Sequence, residues 1–165
     1  MNNRKTATII KFFAIIVATL ICIAATYFLA SNIFGGQLAN ASNGITLTAW
    51  KDKYLNVVLL TGALTGVCAL VWFLLSSFVF KVQYATGGGQ RTIWAVLALL
   101  AAIISVVVPM LYPARVGIQI NAPVIAMFVI FFAVINYWLV TIFATPLSFK
   151  YTPVGAQLFL SRGGK

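Results

Sequence analysis

Apolar residues run almost unbroken through four stretches of the chain, 12–34, 55–80, 92–111 and 124–145, and no Asp, Glu, Lys, Arg or His falls inside any of them. A helix rises about 1.5 Å per residue and needs about 20 residues to cross a hydrocarbon core, a length each stretch reaches. The pattern predicts an all-α integral membrane protein, a four-transmembrane-helix bundle with short loops. Residues 1–146 make the membrane domain, and residues 147–165 form a C-terminal cytoplasmic tail.

Between the runs the polar residues cluster. Gly35-Gly36 is expected to end the first helix, and Asn40, Ser42, Asn43 and Gly44 are loop formers, so 35–54 reads as the longest loop. Its stretch Ile45-Thr46-Leu47-Thr48 alternates apolar and polar residues, a strand signal. Trp50 and Tyr54 flank Lys51-Asp52-Lys53, which predicts an interface anchor with rings at headgroup depth and charges in water. The second connection holds Thr86-Gly87-Gly88-Gly89-Gln90; without a preceding strand or a closing Lys-Ser/Thr it reads as a turn, not a phosphate loop. Pro109 and Pro113 are expected to stop the third helix, and Asn121-Ala122-Pro123 to start the fourth. Beyond Pro146, two short segments around Pro153-Val154-Gly155 predict a small hairpin. A hairpin alone is barely stable in water, so Phe149, Tyr151 and Phe159 are candidate partner-docking residues.

Small and polar residues inside the spans carry the packing expectations. Gly62 and Gly66 form a G-x-x-x-G pair that lets a neighbouring backbone approach, and Ala98 and Ala102, with Ala95 and Ser105, form a small-residue stripe on the third span. Asn136 is the only strongly polar side chain well inside a span; it predicts an interhelical hydrogen bond to a backbone carbonyl or a Thr. Thr19, Cys22 and Thr26 make a partial polar stripe on the first span. Cys22 and Cys68 fall near mid-span with no C-x-x-C and read as small core residues.

Charge orients the chain. Eleven cations stand against one acid, for a net charge of +10. The cations are scattered singly between spans, which argues against nucleic acid. Arg4, Lys5, Lys11, Lys81, Arg91, Lys150, Arg162 and Lys165 fall on one side of the predicted bundle; Lys51, Lys53 and Arg115 fall on the other. Lys and Arg are retained on the cytoplasmic face, so both termini are expected there, and an even number of spans agrees. The first apolar run is longer than a signal-peptide core and is expected to be retained.

The chain has no His and one Asp as its only acid. Acid–base catalysis, a metal site and an ion-coupled relay all need groups that are missing, so neither an enzyme nor a cofactor is expected. The expected role is a structural or accessory subunit of a multi-protein bacterial inner-membrane assembly, such as a secretion or conjugation machine or a respiratory complex. Its expected partners are other membrane subunits and the lipid bilayer. The alternative is a small oligomeric channel or transporter with a Thr/Asn-lined path.

Overall fold

A computed structural model describes residues 2–41, 44–80, 88–146 and 153–155. Every regular element among the described residues is helical. Helix α1 (Asn2–Ile33) is followed by a short α2 (Gly35–Ala41). Helix α3 (Leu47–Leu74) passes into a π-helical turn (Leu75–Val79), and α4 (Gly88–Val116) follows. The last span combines α5 (Ala122–Phe128), a π-helical stretch (Val129–Leu139) and α6 (Val140–Ala144). Four helices are long and apolar enough to cross a membrane: Thr6–Ile33, Leu47–Val79, Gly89–Val116 and Ala122–Ala144.

Helix α3 and the fourth span face each other across the bundle and both touch α1 and α4. Helix α3 is the central element, with 56% of its span window buried inside the chain against 17% for α1 and 22% for α4. Two apolar clusters stack along the bundle axis. One, at the end where α1 begins and α6 stops (the terminal end), gathers Ile15, Ala69, Trp72, Phe73, Trp94, Ala101 and Tyr137. The other, at the opposite end, gathers Leu38, Trp50, Tyr54, Val57, Val58, Phe128 and Phe132.

Several loop and boundary expectations are corrected. The 35–54 segment is largely helical among its described residues: Phe34 makes a turn, α2 packs Leu38 and Ala39 onto the core, and α3 starts at Leu47. The strand signal at 45–48 loses to helical periodicity. Thr46 is the N-cap, its side chain accepting from the Ala49 amide at 3.3 Å. The inward positions then run Trp50, Tyr54, Val57, Val58, Thr61, Thr65, Ala69 and Trp72, spaced for one helix face. Trp50 and Tyr54 are consequently core residues with no solvent exposure, not interface anchors.

The prolines do not stop the third span. Pro109 and Pro113 lie four apart, buried inside α4, and remove the amides that would bond the Ser105 and Pro109 carbonyls. In an apolar bundle, packed neighbours make that loss tolerable. Helix α4 instead ends at Gly117, whose φ of 73° lets the Ile118 amide reach back to the Pro113 carbonyl at 3.0 Å. Lys53 adds a second cap there, donating to the Val116 carbonyl at 2.9 Å. The fourth span starts at the Asn121 cap, whose side chain accepts from the Val124 amide at 3.3 Å, with Pro123 in the first turn.

Candidate functional site

The polar side chains within the spans fall into a middle layer and a larger network toward the terminal end. The middle layer joins three helices. Thr19 of α1 donates to the Asn136 side-chain oxygen at 2.8 Å and lies 2.9 Å from the Ile15 carbonyl, so one hydroxyl proton serves two acceptors. Asn136 has no solvent exposure, and its Nδ2 has no partner among the described residues. Gly66 closes the layer from α3: a Cβ built there would stand 2.9 Å from Thr19 Cγ2. One turn earlier, a Cβ at Gly62 would lie 2.7 Å from Ile23 Cδ1 and 3.0 Å from Phe132 Cε1. Gly62 and Gly66 thus lie where α3 meets α1, with the fourth span alongside.

The network toward the terminal end is built from indoles and hydroxyls. Trp94 Nε1 donates to Thr141 Oγ1 at 3.0 Å, and Trp72 Nε1 donates to Thr145 Oγ1 at 2.9 Å. Tyr137 Oη donates to the Trp94 carbonyl at 2.8 Å, and Thr145 Oγ1 donates to the Thr141 carbonyl at 2.5 Å. The π-helical stretch helps to assemble these groups. Its i→i+5 bonding places more residues in each turn than an α-helix, so residues four and five apart share a face. Phe132, Asn136, Tyr137 and Thr141 all point inward as a result.

Elsewhere, hydroxyls bond back to their own helices: Thr26 to Cys22, Thr61 to Val57, Thr65 to Thr61 and Ser105 to Ala101, all at 2.7–2.9 Å. At the opposite end Trp50 and Tyr54 stack at 4.8 Å with Phe128 edge-on to Tyr54, and neither Trp50 Nε1 nor Tyr54 Oη has a partner among the described residues.

The remaining expected site residues are placed as follows. Ala98 and Ala102 are half-buried at the flank of the α4 contact face, whose centre is Ala101 and Ser105 at no exposure, while Ala95 faces outward. Cys22 and Cys68 are buried free thiols. Phe149, Tyr151 and Phe159 lie outside the described residues, as do both arms of the expected hairpin. The turn between those arms is described: the Val154 carbonyl accepts from Trp138 Nε1 at 2.9 Å, which holds Pro153-Val154-Gly155 against the fourth span.

Sequence reasoning missed the Trp72–Thr145 and Trp94–Thr141 pairs. The available signal was that indoles and threonines inside apolar runs need partners, but nothing in spacing shows which helices meet. Among the described residues no three His, Cys, Asp or Glu side chains gather to hold a metal. No protein-family model, curated protein or solved structure matches the chain.

Proposed function

We propose that this chain is a non-enzymatic structural or accessory subunit of a multi-protein assembly in a bacterial inner membrane, with both termini cytoplasmic. One observation carries the reading. Most of the polar groups inside the spans are committed to each other or to backbone carbonyls, while α1 and α4 turn most of their apolar surface outward. The interior holds the bundle together and the exterior offers surface to lipid and to other subunits. A secretion or conjugation machine, or a respiratory complex, has use for such a part.

The tail is the proposed docking element. Its turn at 153–155 is tied to Trp138, which holds those three residues against the fourth span. Deletion of 147–165 is expected to leave the four spans inserted and to abolish recovery with partner chains. Phe149→Ser combined with Phe159→Ser should reproduce most of that loss. A truncated protein that joins its native complex at full occupancy contradicts tail docking.

The second reading, an oligomeric channel, has one observation in its favour: the Asn136 amide nitrogen has no partner among the described residues and lies beside Thr19 and Gly66 at mid-span. Against it, Asn136, Thr26, Thr61 and Thr65 are all fully buried within one chain.

A further inference from the structure

One face of α1 carries Lys11, Ala14, Ile15 and Ala18, at spacings of three, four and seven residues. Against the end of the fourth span this face leaves a groove of about 210 Å³, completed by Val140, Phe143 and Ala144. Ile15 and Ala144 form its buried floor, and Phe143, 59% exposed, is an outer wall. The two alanines open the groove toward the surrounding medium. Lys11 is the one charged residue between Thr6 and Ile33, and its Nζ donates to the Ala144 carbonyl at 3.3 Å, level with the last turn of the fourth span. An ammonium has three N–H donors, and this contact uses one.

We propose that this groove binds an anionic phospholipid, with one acyl chain along Ala14, Ala18 and Phe143 and the phosphate on the Lys11 ammonium. Seven residues of helix span about 10 Å. Spread over that length, 210 Å³ leaves a section that fits a single hydrocarbon chain. The polar end decides the class of lipid. A long cation at the rim of an apolar groove snorkels toward the headgroups, and a basic pocket between spans selects an anionic one.

The test is native mass spectrometry of the full chain in mild detergent, titrated with phosphatidylglycerol or phosphatidylcholine of identical acyl chains. Phosphatidylglycerol is expected to be retained about fivefold better, the effect of one cation at an anionic surface. Lys11→Gln should reduce its retention to the phosphatidylcholine level, while Lys11→Arg and Lys53→Gln should preserve the preference. Ala18→Phe, which fills the groove and leaves the cation, should reduce retention of both lipids. Helical circular dichroism equal to that of the parent confirms that each variant is folded. Equal retention of the two lipids, a preference that survives Lys11→Gln, or loss of the bound lipid to millimolar inorganic phosphate alone would overturn the proposal. So would a dimer of the chain that Ala18→Phe dissolves, because the groove would then hold a second copy.

Discussion

Gly66 and Thr19 set how closely α3 and α1 approach, and the contact works because glycine has no side chain there. Between apolar helices in lipid no hydrophobic force favours association, so close backbone packing and interhelical hydrogen bonds must supply it. The Gly66 contact does both, since the missing Cβ lets Thr19 sit against α3 while its hydroxyl reaches Asn136. Gly62→Leu or Gly66→Leu should therefore destabilise the bundle by about 1–3 kcal/mol, the usual cost of overpacking. Ala63→Leu, on the exposed side of the same helix, should be close to neutral. Unfolding midpoints in a detergent titration measure the difference, and equal midpoints for the three variants would remove the glycines from the packing account. The glycine pair was legible in the sequence because G-x-x-x-G names a face. The pairing of Thr19 with Asn136 was legible only in kind: the amide needed a partner, and the identity of that partner depends on helix order and depth.

At the scale of elements, the four apolar runs were legible because uninterrupted hydrophobicity is a one-dimensional signal. Their ends were not. Helix α3 begins at Leu47, eight residues before its apolar run, because Thr46 caps it and Trp50 and Tyr54 continue its inward face. Helix α4 runs through both prolines, which a spanning helix tolerates where neighbouring groups and local adjustment satisfy the carbonyls that lose their helical amides. Two lysines close helix ends in a matching way, Lys53 on the Val116 carbonyl and Lys11 on the Ala144 carbonyl. Cations are favourable at C-terminal ends, where carbonyls without helical partners and the helix dipole both attract them. Lys53→Gln should weaken the last turn of α4 by about 0.3–1 kcal/mol. Amide exchange at Ile118 should then quicken while exchange at Val58 stays unchanged. Unchanged protection of Ile118 would show that Gly117 alone closes the helix.

For the whole molecule, the sequence predicted a four-helix bundle but not which side of each helix faces in. Both sides of a span are apolar, so the contrast that marks the buried face of a soluble helix is absent. Trp50 and Tyr54 illustrate the consequence: beside charged residues they resemble anchors, yet helical phase turns them into the core. Orientation rests on the eight-to-three division of cations. Cysteines placed at Ser42 and Gly88 should label from outside intact cells at the first position and not at the second. Labelling at Gly88→Cys alone would invert the topology.

As a proposed subunit, the chain is expected to work as a part of something larger. The most direct measurement of that role is purification from the native membrane in mild detergent at native expression level, followed by native mass spectrometry. A subunit of a larger assembly should emerge as a particle containing this chain and other membrane subunits in fixed ratio. A single copy alone in a small micelle, with no other chain in constant proportion, would contradict that role.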